Sequence, residues 1–184
     1  LSDIVIIDID DYSMKQLGRW PWSRKIHAQL IDLLTQAKAK LIVFDIMFIE
    51  PELTDPRADK QLAAAINRAG NVIIASYFEQ EQGKLTGYYQ PIPKLATAVK
   101  DVGFTTIIPE RDGVTRKLML LAYDNAIIRP SLSLAAYALY MNNKDYVKLI
   151  RSQKVPVNDF CEMDLNFYGA KDTFDKFSYA EVLD

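Results

Sequence analysis

The fold of this chain is decided by the stretch Ile4-Val5-Ile6-Ile7-Asp8-Ile9-Asp10-Asp11. Consecutive apolar residues, most of them β-branched, are typical of a strand that is buried on both faces inside a parallel sheet. Asp8 and Asp10 share parity, so their side chains are expected on one face at the carboxyl end of that strand. Ligands of open α/β sheets bind beyond the carboxyl ends of the strands. This edge of the sheet is therefore the first place to expect a site.

A loop with two tryptophans then leads to a helix, through Leu17-Gly18-Arg19-Trp20-Pro21-Trp22-Ser23-Arg24. Ser23 is a suitable N-cap, which makes Arg24 the first helical residue. A cation at this position opposes the helix dipole by about 0.3–1 kcal/mol. We therefore expect Arg24 to pair with Asp8, Asp10 or another carboxylate at the same sheet edge. Two interpretations are open: a structural ion-pair network, or a polar pocket in which these groups meet a ligand.

The two tryptophans of this loop also have two interpretations. Trp20 and Trp22 are candidates for the wall of the predicted pocket. Large aromatic side chains in loops also commonly close the end of a hydrophobic core, and we expect that role for at least one of them.

Helices and strands alternate through the first half of the chain. Apolar periodicity predicts a helix over 24–38, strands over 41–44 and 72–75, and a helix that starts after Asp55-Pro56. A right-handed β-α-β unit brings the end of the second strand to the same edge as the first. Asp45 is therefore expected beside Asp8, and Glu50 follows shortly after it.

The second half carries turn signals instead. Asp112-Gly113 predicts an antiparallel hairpin between 103–107 and 115–123. A helix is expected over 131–141, and the capping box of Ser178 and Glu181 predicts a short last helix. The predicted fold class is α/β: an N-terminal β-α-β-α-β parallel half, then antiparallel strands and helices, in one mixed sheet with helices on both faces. We expect residues 1–184 to form a single domain.

Composition excludes several classes of protein. The 184 residues contain 22 Lys and Arg against 24 Asp and Glu, which leaves no net basic charge for binding nucleic acid. No run of about 18 apolar residues predicts a membrane helix, and no signal peptide is recognisable. Because the sequence opens almost directly on a strand without Met, we expect it to be part of a longer protein. Cys161 is the single cysteine. The single histidine, His27, is expected to be a hydrogen-bonded or surface histidine rather than a ligand.

Catalytic motifs are absent from the sequence. There is no Walker loop, no G-x-G-x-x-G and no H-E-x-x-H, and we predict no cofactor and no metal site. The alternative rests on acidic residues alone, since carboxylates at neighbouring strand ends can hold Mg²⁺ or Ca²⁺. By analogy of fold, a metal-dependent phosphohydrolase would use Asp8, Asp10 and Asp45.

Several stretches, in order along nearly the whole chain, resemble one family, the type-2 CHASE domain. The most specific is Leu17-Gly18-x-Trp20-Pro21-Trp22-x-Arg24, after a strand that ends in aspartates. The others are Phe44-Asp45-Ile46-x-Phe48 through Glu50, Val102-Gly103-Phe104, Asp112-Gly113-Val114-x-Arg116, Pro130-Ser131-Leu132, and Asn166-Phe167-x-Gly169 with Phe174 and Ser178-Tyr179. This chain departs from the family pattern at two places. The family often has a glycine where this chain has Ala39-Lys40, and it usually continues past the position of Leu183 with a further strand.

The resemblance implies a non-catalytic sensory domain of a bacterial membrane receptor. Such a domain lies outside the cytoplasmic membrane between membrane helices, and its output is a histidine kinase, a nucleotide cyclase or a Ser/Thr kinase. We expect the ligand to be a small molecule, an ion or a protein that meets Asp8, Asp10, Arg24, Asp45 and Glu50, with Trp20 and Trp22 as wall. A second copy of this chain, in a homodimer, is a further candidate partner. The remaining alternative is a dimerisation module without a ligand.

Overall fold

The structure is a computed structural model that describes residues 3–82, 84–170 and 173–184. These residues form seven helices and ten strands. The helices are α1 (Asp11–Leu17), α2 (Arg24–Gln36), α3 (Ala58–Ala69), α4 (Pro93–Ala96), α5 (Leu132–Tyr140), α6 (Tyr146–Ser152) and α7 (Tyr179–Leu183). The strands are β1 (Val5–Asp8), β2 (Ile42–Phe44), β3 (Val72–Glu81), β4 (Lys84–Tyr89), β5 (Asp101–Phe104), β6 (Lys117–Met119), β7 (Leu121–Asp124), β8 (Ile127–Pro130), β9 (Glu162–Asp164) and β10 (Asp175–Ser178).

A four-stranded mixed sheet built around β3 forms the centre of the fold. Strands β2 and β5 pair with β3 in parallel, and β4 pairs with its second half in antiparallel orientation. Val72 and Ile74 point into a core shared with α2 and α3. On the opposite face, Gly103 of β5 lies against the first turn of α5. The predicted α/β class, with helices on both faces of a mixed sheet, is confirmed.

The prediction of one sheet that includes β1 is wrong. The strands divide into four sheets, and β1 pairs in parallel with β10, in the register Val5 to Asp175 through Asp8 to Ser178. β1 is also not buried on both faces, since Val5 is 49% exposed and Ile6 is 37% exposed. An apolar run specifies that a strand forms, but the neighbour of a strand depends on how distant segments of the chain pack.

The predicted hairpin across Asp112-Gly113 is also wrong, although the turn itself is present. The Gly113 N–H donates to the Glu110 carbonyl at 2.8 Å, and Gly113 has a φ of +78°. The flanking strands find other partners: β5 pairs with β3, β6 with β9, and β7 with β8. Turn residues determine where the chain reverses, but not which strands then pair.

Helix ends agree closely with the sequence. The Ser23 hydroxyl accepts from the Lys25 N–H at the start of α2, and Gly70 ends α3 in the left-handed conformation, with a φ of +68°. Both hydrogen bonds of the capping box between Ser178 and Glu181 are present at the start of α7. These features depend on residues close together in the chain, so the sequence predicts them well. In the part of the chain that the structure describes, no helix has the length and apolar character to cross a membrane.

The contact between β5 and α5 gives a stability prediction at Gly103. A Cβ at this position would lie 2.5 Å from the Leu132 Cα and 2.8 Å from the Ser131 carbonyl oxygen. Backbone atoms cannot move aside as a flexible side chain can. We therefore expect Gly103→Ala to lower the free energy of unfolding by about 1–3 kcal/mol, measured by urea denaturation.

Gly87→Ala in β4 is the matched control. Its nearest neighbour would be a ring atom of the Tyr89 side chain at 3.2 Å, which can shift. Equal losses in the two variants would show that the close approach of β5 and α5 is not the reason that a glycine is needed at 103.

Candidate functional site

Arg24 and the N-terminus of α2 meet carboxylates, but not the predicted ones. The Arg24 N–H donates to Glu52 Oε2 at 2.7 Å, and the Ser23 hydroxyl donates to the same oxygen at 3.2 Å. Burial raises the pKa of Glu52, but the hydrogen bonds from the Arg24 N–H and from the Thr54 and Ser23 hydroxyls outweigh it, so this pKa lies below its usual value. Glu52 thus places a negative charge at the N-terminus of α2, beside Arg24.

The Arg24 side chain is held by three groups. Its Nε lies 3.7 Å from Asp59 Oδ1, its Nη2 donates to the Glu50 carbonyl at 3.0 Å, and its guanidinium carbon lies 4.9 Å from the centre of the Phe48 ring. Asp59 belongs to α3 and is 4% exposed. The predicted pairing of Arg24 with Asp8 or Asp10 is therefore wrong. Of the two interpretations, the contacts support the structural ion-pair network.

Lys25 extends this network to the loop before α3. Its Nζ lies 2.5 Å from Asp55 Oδ2. The hydrogen bond from Lys25, together with that from the Arg57 N–H, lowers the pKa of Asp55 to about 2. The segment from Glu50 to Asp59 therefore brings three carboxylates to the start of α2.

Asp10 has a structural role at the start of α1. Its Oδ1 accepts from the Ser13 N–H at 2.8 Å, as the N-cap of α1, and from the Ser178 hydroxyl at 2.9 Å. Hydrogen bonds from Ser13 are the main reason that the pKa of Asp10 lies below its usual value. The Ser13 hydroxyl in turn accepts from the Ala180 N–H at 3.0 Å. Asp10 thus joins α1 to β10 and α7.

A cap that also joins distant elements should contribute measurably to stability. We expect Asp10→Ala to lower the melting temperature clearly, because the Ser13 N–H and the Ser178 hydroxyl both lose their acceptor. Asp8→Ala is the matched control and should change the melting temperature little, since Asp8 is exposed at the end of β1. The assignment would be contradicted by equal melting temperatures in a thermal scan followed by circular dichroism.

Asp8, Asp45 and Glu50 do not form the expected acidic rim. Asp8 ends β1 and Asp45 follows β2, and these strands belong to different sheets. All three side chains are exposed, and none of them is ion-paired with another residue that the structure describes. Within residues 3–82, 84–170 and 173–184, no group of three His, Cys, Asp or Glu residues could hold a metal ion.

Trp22 belongs to the core rather than to a pocket wall. It is 3% exposed, its Nε1 donates to the Gly18 carbonyl at 2.8 Å, and its ring meets that of Tyr179 with centres 5.0 Å apart. Trp20 is half-buried, with its ring edge-on to Trp22 at 5.3 Å. The expectation that at least one tryptophan closes the core is confirmed.

His27 lies at the centre of this aromatic cluster. It is 1% exposed, and its Nδ1 shares a hydrogen bond of 2.7 Å with the Tyr179 hydroxyl. The rings of Phe44 and Phe48 lie edge-on to it. Of the two expected places for His27, the surface and a hydrogen-bonded interior, these contacts show the second.

A polar cleft is present elsewhere, between β5, β8 and α6. Its volume is about 290 Å³. Its lining includes the charged side chains of Lys100, Asp101 and Arg129 and the neutral polar side chains of Gln90 and Tyr146. The Tyr146 hydroxyl donates a short hydrogen bond to Asp101 Oδ2. Burial and this bond raise the pKa of Tyr146, so the hydroxyl stays protonated at neutral pH.

The residues of this cleft carry no signal in the sequence. Asp101 opens β5, Arg129 lies within β8 and Tyr146 opens α6, so they are spread over more than forty positions. No motif joins them, and each would be interpreted alone as an ordinary surface residue. Their convergence depends on how β8 and α6 pack beside β5.

Comparison with known proteins found one family. The family model described as the CHASE2 domain matches residues 1–184, which is the whole chain. Neither the search of curated proteins nor the search of solved structures gave a match.

Proposed function

Because this chain belongs to the CHASE2 family of sensory extracellular domains of signalling receptors, we propose that it senses a ligand outside the cytoplasmic membrane of a bacterium. It acts as part of a transmembrane receptor and carries out no reaction itself. Its output is a histidine kinase, a nucleotide cyclase or a Ser/Thr kinase in the same protein. The observation that carries the proposal is the family match over all 184 residues.

Two features of the domain support this proposal. The strands that carry the acidic residues on which a hydrolase would depend, β1 and β2, belong to different sheets. The polar cleft beside β5 instead offers hydrogen-bond donors and acceptors to a small molecule. A ligand that binds this cleft changes the receptor only if it favours one of two conformations, which requires different affinities for them.

Location is the first test of the proposal. In the full-length receptor, Leu53→Cys places a thiol at a position that is 90% exposed. Cys161, which is half-buried, is replaced by Ser in the same protein to reduce background. We expect a membrane-impermeant maleimide to label Leu53→Cys in intact cells as strongly as in permeabilised cells.

The receptor with Cys161→Ser alone is the matched control and should show less labelling. Labelling of Leu53→Cys only after permeabilisation would place the domain in the cytoplasm and would overturn the proposed function.

A further inference from the structure

We propose that the cleft between β5, β8 and α6 binds a small zwitterion of the α-amino acid class, whose carboxylate meets Arg129 and whose ammonium group meets Asp101. The inference deepens the proposed function, because it names the ligand that the sensor would recognise. It depends on the hydrogen-bonding capacity that these two side chains leave unused and on the charges around them.

Arg129 is fixed in place but is not saturated. Its Nη2 donates to Asp124 Oδ2 at 2.9 Å, and its guanidinium carbon lies 4.4 Å from the centre of the Tyr88 ring. Its buried Nε has no hydrogen-bond partner. Nη1 makes no hydrogen bond with any residue of the described part of the chain, so the guanidinium keeps donors for a ligand. Carboxylates suit the planar donor geometry of arginine.

Asp101 supplies the opposite charge in the same cleft. Its Oδ1 accepts from the Val102 N–H at 2.9 Å, and its Oδ2 accepts from the Tyr146 hydroxyl. Each carboxylate oxygen can accept a second hydrogen bond. No cation among the described residues forms an ion pair with Asp101. Its charge is therefore available to an ammonium group.

Charge balance favours a zwitterion over a simple anion. The lining carries both signs of charge, with Lys100 and Arg129 against Asp101. Asp124 binds Arg129 from beside the cleft, and the Lys144 ammonium donates to the Lys100 carbonyl at 2.8 Å. A multiply charged anion such as a phosphate ester would face Asp101 without compensation. A molecule with one charge of each sign gives Asp101 a cationic partner and Arg129 an anionic one. Gln90 lines the same cleft and offers both a donor and an acceptor.

The size of the cleft limits the ligand further. A volume of about 290 Å³ lies just below the range for small-molecule sites, which is roughly 300–1,000 Å³. A single amino acid fits such a volume, whereas a peptide would extend into solvent. The apolar side chains in the lining, Val99, Val102 and Ile128, can contact the side chain of a bound amino acid.

Calorimetric titration tests the class of ligand directly. The full chain is titrated with each of the twenty common α-amino acids. The best binder is then compared with its carboxamide, which lacks the carboxylate, and with its deaminated acid, which lacks the ammonium group. We expect at least one amino acid to bind and both analogues to bind at least tenfold more weakly. The proposal is overturned if none of the twenty binds, or if either analogue binds as well as the amino acid.

Variants locate the site. Arg129→Gln and Asp101→Asn should each weaken binding at least tenfold. Gln90→Ala should weaken it severalfold, and its folding is not at risk because Gln90 is exposed. Arg116→Gln is the matched control, since Arg116 pairs with Glu110 and Asp112 on the surface, and its affinity should equal that of the wild type. Unchanged affinity in the variants at Gln90, Asp101 and Arg129 would place the ligand elsewhere and refute the assignment.

The two proposals fail separately. If no amino acid binds but Leu53→Cys is labelled in intact cells, the ligand class is wrong and the sensory location stands. If an amino acid binds this cleft but labelling requires permeabilisation, the site stands and the proposed function falls.

Discussion

Trp22→Ala is expected to lower the free energy of unfolding by about 3–5 kcal/mol, the range observed when a buried tryptophan is removed from a core. Trp22 is 3% exposed and contacts the rings of Trp20 and Tyr179. Its removal leaves a cavity in the main core, and the Gly18 carbonyl loses the hydrogen bond from Nε1. Urea denaturation followed by far-ultraviolet circular dichroism measures the loss.

A graded variant keeps this prediction measurable if Trp22→Ala does not fold. Trp22→Phe retains an aromatic ring but loses the hydrogen bond to Gly18, and we expect a cost of about 1–2 kcal/mol. Trp20→Ala is the matched control, because Trp20 lies in the same loop but is only half-buried. A loss at Trp20 as large as that at Trp22 would contradict the assignment of Trp22 to the core.

Acid should destabilise the domain well above the pH at which carboxylates titrate, because of His27. Burial, the largest cause, and the nearby Arg24 cation together lower the pKa of His27 from 6.5 to about 4, against the opposing effect of the Glu52 charge. The protonated ring would have to lie among the aromatic side chains of the core. The folded state therefore strongly favours the neutral ring.

The sign of the effect follows from proton binding in the two states. Between pH 6.5 and about 4, the unfolded chain binds a proton at His27 that the folded chain does not bind. The contribution of His27 to the free energy of unfolding is therefore fully present above pH 6.5 and is lost as the pH decreases toward 4. One pKa unit corresponds to about 1.4 kcal/mol, so we expect a loss of about 2 kcal/mol between pH 7 and pH 5.

His27→Gln provides the control for this prediction. Glutamine does not titrate, so the variant should show a much smaller change between pH 7 and pH 5, whatever its stability at pH 7. Stopping at pH 5 keeps the measurement above the range in which Glu52, Asp10 and Asp55 take up protons, since all three pKa values are lowered. Parallel losses in wild type and variant would show that His27 is not the responsible group.

The candidate site shows how far sequence reasoning extends. The cations at the start of α2 indicated that carboxylates must lie nearby, and this is correct. The particular carboxylates, Glu52 and Asp59, follow from no local pattern, because the sequence prediction places β1 beside β2 in one sheet. With β1 paired to β10 instead, Asp8 and Asp45 belong to different sheets, and the charges come from Glu52 in the loop before α3 and from Asp59 in its first turn.

Sequence alone determined the α/β class, the family, the helix caps and the burial of a tryptophan. These depend on residue type and on spacings within one element, where side-chain period and cap geometry act locally. Tertiary structure alone decided the neighbour of β1, the partners of Arg24 and the meeting of Asp101 with Arg129 in one cleft. Each of these is a contact between segments far apart in the chain, and it is set by the packing of the whole domain rather than by any local pattern.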